Sequence, residues 1–421
     1  MKVYFETFGC TSNQADTGIM KSLLKGNHSI VSCQRDCDVV VINSCAVIDR
    51  TERKVLKAAE AARADGKKVV LAGCLPRIDP EALSSFKPDS IVNPDAINLI
   101  SRAVEGAVDS SFTEAPPQNV DKPSLITNED QIIAAIPIAE GCLGSCSYCG
   151  TRFARGMLRS FSTDSITAAV KRTITGGARE IQLTAQDTGI YGMDTGQRLP
   201  ELLKQVCTVN GDFKVRVGMM NPTYLKPILE DLIESFKSEK VYKFLHLPLQ
   251  SGDDAVLAHM KRGYTVLDFM DIVARFRKTF PEITIATDVI IGYPTEDETA
   301  FEKTLSTVEA LRPGMLNITR FSPRPNTLAA GLKNLTDRAK KARSRRMSEL
   351  KKNLFLENNE PFIGKKMDVL VTEHGKNGTF LGRTNAYKQV VLDSGVPGET
   401  LRVEITGVTA YYLIGRYLSL K

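Results

Sequence analysis

The sequence predicts an α/β chain in three parts: an N-terminal parallel α/β domain, a central partial barrel of six β/α repeats, and a C-terminal small β-barrel of OB type. Three observations predict it. Short apolar runs alternate with helix-like segments from the N-terminus to about residue 330, the mark of βαβ units on parallel sheets. A polar, Pro-bearing stretch interrupts that alternation once, and the chain from Pro361 onward holds only short β-rich runs broken by Gly and Asn. A length of 421 residues also exceeds what one hydrophobic core usually serves.

Residues 1–108 read as the first domain, with strand runs KVYFETFGC, DVVVINSC and KKVVLAGC, each followed by a helical stretch. Each run ends in a cysteine: Cys10, Cys45 and Cys74. Ligands of open α/β sheets bind beyond the carboxyl ends of the strands, so the topology carries three distant thiols to one rim and makes a metal site there. Residues 109–130 (DSSFTEAPPQNVDKPSLITNED) have no periodicity and read as a linker.

Residues 131–330 resume the alternation with six strand candidates: IIAAIPIAEGC, EIQLTAQD, FKVRVGMMNP, KFLHLPLQSG, ITIATDVIIGYP and MLNITRFSPRP. The chemistry of such a barrel lies at its strand C-termini, where Cys142, Gln186, Asp187, Asn221, Gln250, Ser251, Asp288 and Arg320 collect. A basic helix follows in residues 331–360, starting near Thr336. Residues 361–421 form the predicted small barrel, through KKMDVLVTE, GTFLGRT, KQVVLD, TLRVEITGV and YYLIGRYL.

The composition is that of an ordinary soluble protein. No long apolar stretch and no basic-plus-apolar leader stands at either end, which leads us to expect a cytoplasmic protein with no membrane partner. Nine cysteines in a reducing compartment point to metal or redox chemistry, and no disulfides are expected. The net charge of +6 is unevenly spread: between Lys333 and Lys352 nine basic residues face only Asp337 and Glu349. Such a run is either a solvated helix face or a phosphate-binding stripe. In the terminal module Phe380, Tyr387, Tyr411 and Tyr412 lie among Lys and Arg and could stack on bases, although aromatics in so small a barrel are more often core.

The densest chemistry is in EGCLGSCSYCG, residues 140–150, with Cys142, Cys146 and Cys149. A structural zinc site takes four N or S ligands, and the nearest histidine in sequence, His246, is far along the chain. Three thiolates on a cube of four irons leave one iron open to bind a substrate. The C-x3-C-x2-C spacing, with Tyr148 before the last cysteine, resembles the signature of the radical S-adenosylmethionine (radical SAM) superfamily.

That resemblance implies a 4Fe-4S cluster on these three cysteines and SAM cleavage to a 5′-deoxyadenosyl radical. It also implies roles in SAM binding for Tyr148, for Gly176, Gly177 and Glu180 in a glycine-rich turn, and for Asp288 and Gly292 in the fifth-strand motif DVIIGYPTE. Thr295 departs from that motif, where a glycine commonly follows the proline. The whole chain resembles the methylthiotransferases, through ETFGCTSNQAD, VVVINSCAV, VVLAGCLPR, EGCLGSCSYCGTRFARG, EIQLTAQDTGIYGMD, HLPLQSGDDAVL and RFSPRPNTLAA. They carry an N-terminal domain with a second cluster, a radical SAM barrel and an RNA-binding TRAM module.

The branch acting on N6-threonylcarbamoyladenosine (t6A), beside the anticodon of ANN-decoding tRNAs, is the closest resemblance, chiefly through LTAQDTGIYGMD with Asp187. The resemblance implies the second 4Fe-4S cluster on Cys10, Cys45 and Cys74, an electron donor and a sulfur source. It makes Asn13, Asp16, Gln186 and Asp187 candidates for catalysis, and Gln250 a candidate contact of SAM or the base. The alternatives are isopentenyladenosine tRNA or a ribosomal-protein aspartate as substrate, or a non-catalytic, cluster-bearing RNA-binding protein. Cys33, Cys37 and Cys207 read as incidental.

Overall fold

The structure is a computed structural model that describes residues 1–46, 49–84, 86–106, 120–127 and 131–418. The first domain is a five-stranded parallel sheet of β1 (Lys2–Thr7), β2 (Ser29–Ile30), β3 (Val39–Ser44), β4 (Lys68–Gly73) and β5 (Ser90–Val92), in the order β2-β1-β3-β4-β5. β3 reads VVVINS and is buried throughout, as expected of a parallel strand covered on both faces. Thr7 is registered with Asn43, and Ser44 with Gly73. The ends of β1, β3 and β4 are therefore level, and Cys10, Cys45 and Cys74 leave the sheet side by side.

The second domain takes β6 (Ile133–Pro137), a short hairpin of β7 (Ala139–Glu140) and β8 (Arg159–Ser160), then β9 (Glu180–Thr184), β10 (Lys214–Val217), β11 (Phe244–His246), β12 (Thr284–Ile291) and β13 (Met315–Arg320). The expected six barrel strands all form. They make two three-stranded sheets, β10-β9-β6 and β11-β12-β13, joined by a bridge from Val215 to Val241. The barrel is thus open between β6 and β13. Residues with outward parity, such as Ile181, Leu183, Val215, Val217, Ile285 and Val289, join the large core under the helices. The residues between them line the interior.

The third domain is a closed five-stranded barrel of β14 (Lys366–His374), β15 (Phe380–Thr384), β16 (Gln389–Leu392), β17 (Thr400–Val408) and β18 (Leu413–Tyr417). It docks under the N-terminal ends of the central strands. Tyr387 inserts beside Tyr242 and Phe244 and donates its hydroxyl to Glu180 at 2.8 Å. Tyr387 is therefore core, the commoner place for an aromatic in so small a barrel, and not a stacking platform; of that set, Tyr411 is the exposed one, at 61%.

Two other expectations need correction. Residues 109–119 and 128–130 of the expected linker lie outside the described residues, but 120–127 is docked and not a free spacer. Arg172 donates to the carbonyls of Pro123 and Ile126, and Lys122 is fully buried. The basic helix, Asp337–Asn359, starts where Thr336 accepts from the Ala339 N–H. Its basic residues are not one solvated face. Lys340 and Arg343 are buried, and Arg343 and Arg346 pair with Glu296, Glu298 and Glu302 on the barrel. Arg338, Lys341, Arg345 and Lys352 stay exposed, and at this spacing they form one stripe.

Candidate functional site

Two cysteine triplets stand on adjoining rims. In the first domain, Gly9 turns the chain at φ +106°, and a Cβ there would sit 2.6 Å from Cys45 Cβ. Only glycine lets the Cys10 turn close on Cys45. Asn13 then staples that turn to the neighbouring strand, donating to the carbonyls of Phe8 (2.9 Å) and Ser44 (2.8 Å). Cys45 and Cys74 are buried, whereas Cys10 is exposed at the mouth.

In the second domain, Gly141 (φ +80°) plays the same part, because a Cβ there would meet the Met157 carbonyl. The loop after it gathers Cys142 and Cys146, whose sulfurs lie 3.3 and 3.7 Å from the Cβ position of Gly144, with Cys149 beside them. Burial pushes the Cys142 thiol up to about 11, and the neighbouring Asp187, Cys149 and Cys146 add to the shift. Burial likewise raises Cys149 and Cys74.

Thiols so placed ionise only against strong positive charge. The protein supplies part of it: Arg262, which is buried, donates to Cys146 Sγ at 3.2 Å, and Arg155 reaches Cys74. Among the described residues no three His, Cys, Asp or Glu side chains are gathered tightly enough for one ion. Two sets of three spread thiols, each with a buried guanidinium and without a fourth thiol, fit a 4Fe-4S cluster with one open iron better than a zinc ion.

Residues just past Cys10 lock onto the second domain. Ser12 Oγ lies 3.3 Å from Thr184 Oγ1, and Gln186 bridges the two rims, donating to Ser12 Oγ (3.2 Å) and accepting from the Gly141 N–H (2.7 Å). Asp16 is held by Lys122 (2.7 Å) and Arg155 (2.7 Å); both cations also reach Glu140, at 2.6 and 3.0 Å, and Arg155 donates to Asn13 (2.9 Å). Burial alone would raise the Asp16 carboxyl, but the charges of Lys122 and Arg155 outweigh it and hold it below the usual range. A second buried pair, Glu52 with Arg324, ties the domains further along the same contact.

The structure places the expected site residues unevenly. Asn13 and Asp16, expected to be catalytic, have their polar atoms bonded within this network. Gly176, Gly177 and Glu180, expected to bind SAM, lie at the opposite end of β9 from the cysteine loop. Glu180 opens β9 opposite Ile133, whereas Gln186 lies past the end of that strand beside Gly141. Six residues separate the two positions, roughly 20 Å of extended chain. Gly176 ends the Thr163–Thr175 helix, and Glu180 is bonded instead to Tyr387, Tyr242 and Gln182.

The other candidates lie at the rim or just inside it. Asp187 caps the turn Thr188–Ile190 and accepts from Gly189 N (2.9 Å) and Asn221 N (3.0 Å). Burial pushes its carboxyl up to about 6 against those bonds, and its Oδ2 has no partner among the described residues. Gln250 is held at φ +68°, a strained conformation for a residue with a side chain, with its Oε1 buried and unpartnered. Tyr148 packs edge-on to Tyr293 below the cysteine loop. Asp288 accepts from His246 (2.8 Å) and Asn317 (2.8 Å), which together hold it below the usual carboxylate range despite its burial. Gly292 takes the carboxylate of Glu296 on its N–H, and a side chain there would strike Lys340.

Sequence reasoning missed Arg155, Arg262, Lys122, Glu140 and His246. ARG and KRG carry no spacing signal, and Lys122 sits in a segment of loop composition. Cys37 is core and Cys33 exposed, both ahead of β3 and away from its cysteine end, and Cys207 packs half-buried on a helix.

The comparisons agree along the whole chain. Residues 2–93 match the uncharacterized protein family UPF0004, residues 136–308 the radical SAM superfamily, and residues 360–418 the TRAM domain. A protein of Archaeoglobus fulgidus named probable threonylcarbamoyladenosine tRNA methylthiotransferase is 48% identical, over 99% of this chain and 98% of that protein. A Pyrococcus abyssi protein of the same name is 42% identical over the full length of both. The threonylcarbamoyladenosine tRNA methylthiotransferase of Danio rerio is 33% identical, over 99% of this chain and 78% of its own length.

Among solved structures, the radical SAM methyltransferase TsrM of Kitasatospora setae superimposes with a TM-score of 0.57 at 13% identity, over 78% of this chain and 77% of that one. That likeness concerns the fold alone. No helix among the described residues is long and apolar enough to cross a membrane. With two cysteine triplets on adjoining rims, a six-stranded open barrel and a terminal TRAM barrel, matched from end to end by such relatives, the chain belongs to the family of the threonylcarbamoyladenosine tRNA methylthiotransferases.

Proposed function

We propose that the protein is a tRNA methylthiotransferase that converts t6A beside the anticodon to its 2-methylthio derivative, replacing the hydrogen on C2 of the adenine. Cys142, Cys146 and Cys149 hold one 4Fe-4S cluster, and Cys10, Cys45 and Cys74 the other. Bound there, the clusters and SAM would supply the one-electron cleavage that activates C2, the methyl group, and an open iron to which sulfur from an outside source attaches. An electron donor and a sulfur source are required from outside, and a tRNA substrate fits work in the cytoplasm.

The remaining work belongs to side chains of this chain. Gln186 and Ser12 fix the distance between the two rims, and the Asp16, Lys122, Glu140 and Arg155 network keeps that distance from varying. Arg155 and Arg262 balance the negative charge of the thiolates in a site with little water. Asp187 Oδ2 and Gln250 Oε1 are buried acceptors left for donors on SAM or the base. The single observation that carries the reading is the direct bonding of residues behind Cys10 to residues behind Cys142, since group transfer from one site to a radical made at the other needs both within reach of one base. The substrate reading is tested by offering t6A tRNA and isopentenyladenosine tRNA together in equal amounts. Consumption of t6A alone is expected, and consumption of isopentenyladenosine instead would overturn it.

A further inference from the structure

One cation inside the central barrel has no counterpart among the described residues. Arg216 alternates with Val215 and Val217, which pack outward under the helices, so its side chain turns inward. Its guanidinium lies 5.2 Å from the ring centre of Phe244 and 5.6 Å from that of Tyr387. It has no hydrogen-bond or carboxylate partner among the described residues, and its Nε is shut off from solvent without one. The acids facing the same chamber are engaged: Glu180 with Tyr387, Tyr242 and Gln182, and Asp288 with His246 and Asn317. Buried donors in native proteins are nearly always bonded, so this one implies an acceptor brought from outside.

Its position suits a substrate. The barrel is open between the free edges of β6 and β13, and β10 is third of the six strands, on the wall facing that opening. Exposed Asn317 on β13 marks the entrance. Arg216 is registered with Gln182, four residues before Gln186, and so lies roughly 13 Å below the rim where the two triplets meet. A base whose C2 faces that rim presents its N6 substituent to the chamber wall.

On the substrate reading proposed above, that substituent is a threonine joined through a carbamoyl group, and its carboxylate is the one formal charge on the base. We infer that Arg216 binds this carboxylate and is the residue that selects t6A over adenosine bearing no tail or an apolar tail. The guanidinium fork matches a carboxylate in two parallel hydrogen bonds, and the rings of Phe244 and Tyr387 hold the fork in place. A chamber made for an apolar tail would have no use for an unpaired cation.

The test is the affinity of the full-length, cluster-loaded protein for an anticodon stem-loop carrying t6A, its methyl ester, or plain adenosine. In the wild type, esterification, which removes only the charge, weakens binding about tenfold. In Arg216→Gln that preference disappears, while Arg216→Lys keeps part of it. Equal wild-type binding of acid and ester overturns the inference without any variant, as does an undiminished preference in Arg216→Gln. If the wild type binds t6A no better than plain adenosine, the substrate reading fails as well. A t6A preference that survives esterification removes only the role of Arg216.

Discussion

Lys122 and Asp16, 106 positions apart, meet as an ion pair of 2.7 Å with both side chains shut away from water. The lysine comes from the segment between the first two domains and the aspartate from the helix that follows Cys10. Breaking a buried pair by removing one partner leaves the other charge uncompensated, at about 3–5 kcal/mol. Lys122→Ala should lower unfolding stability by that order, as read from denaturant midpoints. A loss below about 1 kcal/mol would show that the network carries little of the domain contact.

Acid should open the same contact. The Asp16 carboxyl is held below its unfolded value, so its contribution is fully present above the unfolded pKa and is lost as the pH falls through the folded one. The denaturant midpoint of the full chain should therefore fall on acidification below the ordinary carboxylate range. Asp16→Asn should show the lower midpoint already at neutral pH.

Gly9 gives a prediction about metal. With φ at +106° and Cys45 Cβ at 2.6 Å from the position of its own missing Cβ, Gly9→Ala should spoil the first triplet and spare the second. Iron per chain should fall from about eight to about four, one cube in place of two. Retention of the full iron content would mean that Cys10 is not a ligand.

Among the contacts that dock the TRAM barrel, one hydroxyl reaches a buried acid of the central domain. Tyr387→Phe leaves its rings packed but removes the 2.8 Å bond to the buried Glu180, a loss of about 1–3 kcal/mol. Thermal unfolding of the full chain checks it.

The exposed stripe Arg338, Lys341, Arg345 and Lys352 has no acidic partner among the described residues, unlike Arg343 and Arg346. Changing the four to Gln should flatten the dependence of tRNA binding on log salt by about 3 if each meets a phosphate. Changing Arg346 alone should leave the slope nearly as it was.

The parts legible in the sequence were those set by local pattern. Strand runs ending in cysteine placed both triplets, and the β/α alternation gave the six barrel strands. Failures came where a residue's meaning depended on a distant partner. Gly176 and Gly177 turn the chain ahead of β9, and no composition signal tells the near end of a strand from the far end where the cluster sits. Tyr387 had the composition of a stacking residue, yet its neighbours Tyr242 and Phe244 come from another domain. Lys122 and Arg155 acquire their roles only once Asp16 and Glu140 are folded against them.

The central claim is that the two triplets act on one base. It is tested most directly by mass spectrometry of nucleosides from t6A tRNA after anaerobic incubation with reconstituted protein, SAM, a reductant and sulfide. The wild type should yield the 2-methylthio derivative, and neither Cys10→Ala nor Cys142→Ala should yield any. Formation of 5′-deoxyadenosine that depends on Cys142, with the t6A left unmodified by the wild type, would contradict the account.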